Sequence, residues 1–141
     1  MLNKIRFLLL LIPLTLLSTP LLAVDYVVIV NPANPVASLD ETTVEKIFLG
    51  KKNFWDDGHR IEIYLQEDNE LHKTFCTEIL KKTTRQLKMY WRRALYSGTG
   101  LPPQKLADDQ AVKAEVAANS VAIGYIHAVS LDDSVKKVPI R

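Results

Sequence analysis

Ile47-Phe48-Leu49-Gly50-Lys51-Lys52-Asn53-Phe54-Trp55 is where an apolar helical face runs into a glycine and then into a polar loop closed by tryptophan. Val44, Ile47 and Phe48 recur at helical spacing, and Gly50 fits the left-handed residue just past a helix end. Ser38 with Glu41 three residues on reads as a capping box at the other end. The stretch therefore predicts a short amphipathic helix from Ser38 to Gly50 and a loop beyond it.

Upstream, Val24–Asn31 is an almost unbroken β-branched run, the pattern of a strand buried on both faces. The loop Asn31-Pro32-Ala33-Asn34-Pro35 is stiffened by two prolines. Downstream, Lys51–Arg60 is polar with a turn at Asp57-Gly58, and Ile61–Leu65 alternates as a strand does. Asp68–Leu80 and Thr84–Tyr96 read as helices. The first points Leu71, Phe75, Ile79 and Leu80 inward; the second points Leu87, Tyr90, Trp91, Ala94 and Leu95 inward. Ser97-Gly98-Thr99-Gly100 and Pro102-Pro103 stop the second. Asp108–Ala118 is a further helix, opened by acidic residues that suit its N-terminus. Val121–Ile126 is another buried strand, and Val135–Ile140 a short last one.

Strands alternating with helices predict an α/β fold, a three-layer sandwich around a mainly parallel or mixed sheet. Ligands of such folds bind beyond the carboxyl ends of strands, where helices begin. That reading places a cleft near Asn31–Asn34, Gln66–Glu70 and Ser97–Thr99.

The first 23 residues read as a cleaved secretory signal: Lys4 and Arg6, an apolar run from Phe7 to Leu17, then Leu21-Leu22-Ala23 as the cleavage site. The apolar run is short for a membrane span and holds Pro13. Residues 24–141 remain as one domain, expected in the periplasm. The whole chain has a formal net charge of +2. Without Lys4 and Arg6 it carries 16 basic and 16 acidic residues, a balance that points away from nucleic acid and from an anionic membrane surface. Cys76 is the single cysteine, so no internal disulfide forms; between Phe75 and Ile79 it reads as a small buried hydrophobe.

Several residues invite a chemical reading. Ser97-Gly98-Thr99-Gly100 can cradle an anion with amides and hydroxyls, with Arg92 or Arg93 supplying charge; equally, it is a glycine cap and a turn. Asn31 and Asn34 can offer side-chain amides to a ligand, or close turns ahead of Pro32 and Pro35. Glu67, Asp68, Glu70 and His72 match no specific metal pattern and read as a solvated helix start. Trp55 and Trp91 read as core or interface anchors. No nucleophile–base pairing and no phosphate loop with lysine is present in the sequence, so neither an enzyme nor a cofactor is expected.

Three pieces, in order, resemble phosphate-type solute-binding proteins of ABC importers. They are Ile47-Phe48-Leu49-Gly50-Lys51 with Trp55, the Tyr90-Trp91 helix leading into Ser97-Gly98-Thr99-Gly100, and Ala122-Ile123-Gly124-Tyr125-Ile126. Full-size members have two lobes, and this chain matches one, so the resemblance implies a periplasmic-binding-protein-like single lobe. It departs from the family where the strand after Trp55 ends. The family's Arg-x-x-Gly-Ser-Gly-Thr segment, which grips the anion, is replaced by Tyr64-Leu65-Gln66-Glu67-Asp68-Asn69-Glu70. The resemblance implies a solute-binding domain for phosphate or another small oxyanion, with a membrane transporter or another envelope protein as partner; the residues read above as able to hold the anion are Asn31, Asn34, Arg93, Ser97, Gly98 and Thr99. The alternative is a non-catalytic protein-interaction module of the cell envelope that has lost the ligand site.

Overall fold

The computed structural model describes residues 24–141; the expected signal peptide and cleavage site lie outside the described residues. Strands β1 (Tyr26–Val30), β2 (Glu62–Gln66), β3 (Gln104–Leu106), β4 (Ala122–His127) and β5 (Lys136–Val138) form one sheet in the order β3-β2-β4-β1-β5. The sheet is mixed. β2 runs parallel to β3 and β4, whereas β1 is antiparallel to β4 and β5. Helices α1 (Glu41–Phe48), α2 (Glu70–Phe75) and α3 (Thr84–Ser97) cover one face, and α4 (Asp109–Ala118) covers the other, giving the three layers expected.

Strand periodicity decides which side chain meets which layer. Val28 and Val30 of β1, with Ile123 and Tyr125 of β4, join the larger core with Val44, Ile47, Phe48, Leu71, Phe75, Leu87 and Trp91. Val27, Ile29, Ala122 and Ile126 face the other way, against Val112 and Val116 of α4. Both faces of the central strands are dry, which is why the two β-branched runs lack a polar alternation.

The helix ends differ in detail from the sequence reading. Ser38 does not cap α1. Leu39 is drawn into an extended bridge with Ile140, its amide donating to the Pro139 carbonyl. The cap passes to Asp40, whose carboxylate accepts from the Thr43 amide at 2.6 Å. Gly50 does stand past the helix end, at φ +70°. α2 starts at Glu70, not Asp68, because Asn69 is the residue that accepts from the His72 amide. The helical path then widens into a π-helical turn over Cys76–Leu80, closed by Lys81 at φ +55°. β3 is unforeseen: three residues after two prolines carry no alternation to read, and only pairing with β2 makes them a strand.

Gly124 sets how closely α4 approaches the sheet. A Cβ there would stand 2.7 Å from Val112 Cγ1, a stiff β-branched side chain that is fully buried. At Gly100 the nearest atom to an added Cβ is a Trp91 ring carbon at 3.5 Å, an ordinary contact. Gly124→Ala should therefore cost about 1–3 kcal/mol through overpacking, whereas Gly100→Ala should be neutral or slightly stabilising. Urea denaturation of the two variants checks this, and equal stability of both would remove Gly124 from its role.

Candidate functional site

β2 and β4 end side by side at Gln66 and His127, and α2 and α4 begin just beyond them. This is the position at which parallel α/β sheets present helix starts to a ligand. Here it is filled by the protein's own polar side chains. Gln66 is fully buried. Its Nε2 donates to Asp109 Oδ1 at 2.6 Å and to the Tyr125 carbonyl at 3.1 Å, and its Oε1 accepts from Asn69 Nδ2 at 2.9 Å. Asp109, in the first turn of α4, collects three more donors. Ser130 Oγ lies at 2.6 Å, His127 Nδ1 at 2.9 Å and the His127 amide at 3.2 Å.

Burial alone would raise the Asp109 carboxyl pKa. The hydrogen bonds from Ser130, Gln66 and His127 outweigh it and hold the group below its ordinary value. Asp109 is thus a carboxylate. The Ser130 hydroxyl is committed to Asp109 and not to His127, so no base is set against it and the three residues do not form a nucleophilic triad.

A second polar line crosses the core behind this cluster. The Gln66 amide donates to the Tyr125 hydroxyl at 3.1 Å, which stands 2.5 Å from His72 Nδ1. With the hydroxyl donating onward, His72 carries its proton on Nε2, directed toward Cys76 Sγ at 3.5 Å. Sequence reading placed His72 on a solvated helix start; it is 1% exposed. Desolvation, reinforced by Lys105, lowers its pKa to about 4. Burial pushes the Cys76 thiol up to about 12, which keeps it a protonated core group. Asp68, by contrast, stays at the surface and is paired with Lys88 at 2.7 Å and Lys105 at 3.7 Å.

The residues expected to share a cleft do not meet. Because β1 is antiparallel to β4, with Val30 opposite Ile123 and Tyr26 opposite His127, Asn31 emerges at the end of the sheet away from Gln66. The single cleft drawn through Asn31, Gln66 and Ser97 rested on a mainly parallel sheet, and the mixed sheet divides it. Asn31 Nδ2 donates to the Val116 and Ala117 carbonyls, and its Oδ1 accepts from the Ala33 amide. Asn34 Oδ1 accepts from the Val36 amide. Both side chains close turns, and Asn31 also ties β1 to α4.

Ser97-Gly98-Thr99 caps α3. The amides of Gly98, Thr99 and Gly100 all return to carbonyls of Ala94 or Leu95. The Ser97 and Thr99 hydroxyls bond each other at 2.9 Å and the last helical carbonyls as well. The loop offers an incoming anion no free amide. Arg93 is exposed and has no ion pair among the described residues.

Two cavities lie at this same end of the sheet. One, of about 320 Å³, is lined by Asn34, Lys52, Trp55, Asp57 and His59. The other, of about 760 Å³, is lined by Asn53, Arg60, Glu62, Trp91, Thr99 and Gln104. Trp55 is anchored by its indole N–H on the Val121 carbonyl at 2.9 Å. The Trp91 indole N–H is the one buried side-chain polar atom without a partner among the described residues. The residues that sequence reasoning missed are Asp109, Ser130, His127 and Arg60. The partners of Asp109, Ser130 and His127 lie 18 to 43 positions away in the chain, beyond any local pattern.

No protein-family model matches the chain, and no curated protein matches it by sequence. Solved structures do match in fold. A structure described as a phosphate ABC transporter substrate-binding protein with bound phosphate, from Clostridium perfringens, superposes with a TM-score of 0.65 at 24% identity. An ABC-type phosphate transport receptor from Vibrio cholerae gives 0.66 at 21%, and PstS from Borrelia burgdorferi 0.64 at 12%. Each match covers 82% or 83% of this chain but 44% to 47% of the other. The chain therefore has the fold of a single lobe of these solute-binding proteins and spans less than half their length.

Two consequences can be measured. The His72 pKa of about 4 lies below the roughly 6.5 of an unfolded chain. The unfolded state takes up the proton first, so stability is lost as pH falls from about 6.5 to 4, by an amount on the order of 3 kcal/mol. His72→Gln, which does not titrate, should flatten the stability profile in that window. Asp109→Asn replaces a four-fold acceptor by a group that is half donor and should cost about 2 kcal/mol or more at neutral pH. Because the Asp109 pKa is depressed, the unfolded chain takes up its proton first, so that cost should shrink as the pH falls below the ordinary carboxylate range. An unchanged chemical-denaturation midpoint in Asp109→Asn would show the cluster to be without weight.

Proposed function

We propose that this chain is an exported, non-catalytic binding domain of the solute-binding type, working in the periplasm, which engages a protein of the cell envelope and does not carry an anion at its strand ends. One observation supports this above the others: the Asp109 carboxylate, with its four donors, sits where α4 begins beyond β2 and β4. A helix start of this kind attracts an anion, and in this chain the anion is covalently part of the fold. The structures that share the fold are named for phosphate transport through ABC transporters. A membrane transporter, or another envelope protein, is accordingly the class of partner proposed. The leader-like residues 1–23 support export.

A second reading has its own support. The 760 Å³ cavity holds Arg60, which has no ion pair among the described residues, together with Thr99, Asn53 and Gln104 as neutral polar groups. Phosphate or another small oxyanion placed there would meet a guanidinium, with Glu62 as the one carboxylate in the lining. Calorimetric titration of the purified protein with phosphate and with sulfate separates the two. The first reading expects no heat at millimolar anion. Micromolar phosphate binding that disappears in Arg60→Ala would replace it by the second.

A further inference from the structure

Between Glu78 and Asp108 the chain carries seven basic residues and no acidic one. Arg85, Lys88, Arg92 and Arg93 lie on α3, and Lys105 lies on β3. Positions 84, 87, 88, 91, 92, 95 and 96 share one face of α3, at the spacing of a helical stripe. That face and the Pro102–Lys105 segment wall a groove of about 370 Å³.

The floor of the groove is apolar and the rim is cationic. Leu65, Leu87 and Trp91 are buried at its base, while Leu95 and Tyr96 stand 50% and 85% exposed along its length. Lys88, Arg92 and Lys105 form the rim. Asp68 neutralises part of it, pairing with Lys88 and Lys105 at one end. Arg85 and Arg92 have no ion pair among the described residues. An exposed apolar surface bordered by three cations against the single carboxylate of Asp68 is costly to leave in water and is complementary to an apolar chain bearing carboxylates.

We propose that this groove docks an extended acidic segment of a partner protein, its apolar side chains seated over Leu87, Trp91 and Leu95 and its carboxylates on Arg92 and the neighbouring lysines. The proposal rests on the reading of the domain as a protein-interaction module and supplies the partner's chemistry. The geometry favours a peptide over a lipid surface. Leu65, Leu87 and Trp91 form the base of a hollow, which an inserted side chain fills and a membrane plane does not. Length agrees. Thr84 to Tyr96 is roughly 18 Å along a helix, the span of about five or six extended residues.

The test is fluorescence anisotropy on the purified protein with two labelled hexapeptides, one alternating glutamate with leucine and tryptophan, the other carrying lysine in place of glutamate. The expected result is saturable binding of the acidic peptide alone, weakened roughly tenfold or more by Arg92→Glu and by Leu95→Asp, and weakened again by about 0.5 M salt. Both substituted side chains are at the surface, so unchanged thermal unfolding is expected of the variants. Equal binding of the two peptides, or indifference to both substitutions, overturns the proposal. Failure to bind either peptide while co-sedimenting with phosphatidylglycerol vesicles assigns the face to a membrane and overturns it too. The phosphate titration on the same preparation separates the levels. Tight phosphate binding sinks the interaction-module reading, whereas absence of both phosphate and peptide binding sinks only the groove.

Discussion

Tyr125 is the side chain on which the layers meet. It stands on β4, in the middle of the sheet, and is fully buried. Its ring stacks on Phe75 at 3.9 Å and 12°, and Phe48 leans against it at 5.9 Å. One residue thus fixes α1 and α2 against the sheet, with an aromatic contribution beyond plain area burial. Its hydroxyl accepts from the Gln66 amide and donates to His72. Desolvation drives the phenol pKa far upward, so the proton that this chain of bonds requires is never lost to water. Gln66 is held by its backbone through Tyr125, and its side chain in turn holds Asp109. The strand-end cluster is therefore an extension of the aromatic core.

That cluster explains why the place where the fold invites an anion need not hold a separate one. A second negative charge about 4 Å from Asp109, at the effective dielectric of a protein edge, would be repelled by about 4 kcal/mol, close to a thousandfold in affinity. The Asn69 and Asp108 side chains take up amides of the first turns of α2 and α4. His127, Ser130 and Gln66 spend donors that a ligand would otherwise receive. The acidic stretch Glu67–Glu70 is not a block of unmatched charge, because Asp68 is answered by Lys88 and Lys105 and Asn69 serves as a cap.

The sequence carried the layers well because they rest on local periodicity. The β-branched runs, the helical stripe of α1, the Leu87 and Trp91 positions of α3 and the left-handed Gly50 are each decided within a few residues, and the aromatic and glycine pieces around Tyr90-Trp91 and Gly124-Tyr125 lie in the elements expected of them; Leu95, expected inward, is half exposed because the chain packs nothing over the last turn of α3 on that side. What it did not carry is direction. Nothing in Tyr26–Val30 says whether the strand runs with β4 or against it, yet that choice sends Asn31 to the opposite end from Gln66 and divides the expected cleft. The site was hidden for a related reason. Gln66 and Asp109 are 43 residues apart, and Asp109 read alone is only an acid complementing a helix start. His72 was misjudged because its neighbours Asp68, Glu70 and Lys73 are polar, while a six-residue helix turned by its Asn69 cap puts the imidazole inward.

Charge balance misled in a subtler way. Sixteen basic and sixteen acidic residues after residue 23 suggest no charged partner, but the balance is a sum over two unlike faces. Five of the sixteen basic residues, Arg85, Lys88, Arg92, Arg93 and Lys105, lie on α3 and β3 with no acidic residue on either element, and β3 is one edge of the sheet. That edge would ordinarily be open to strand addition. Here β3 has three residues and is preceded by Pro102 and Pro103, neither of which has an amide hydrogen to donate. Recognition at this edge must then fall to side chains rather than to a backbone ladder. The side chains on hand are an apolar floor and a cationic rim, so specificity here is set by the sign of the partner's charge and the spacing of its apolar groups.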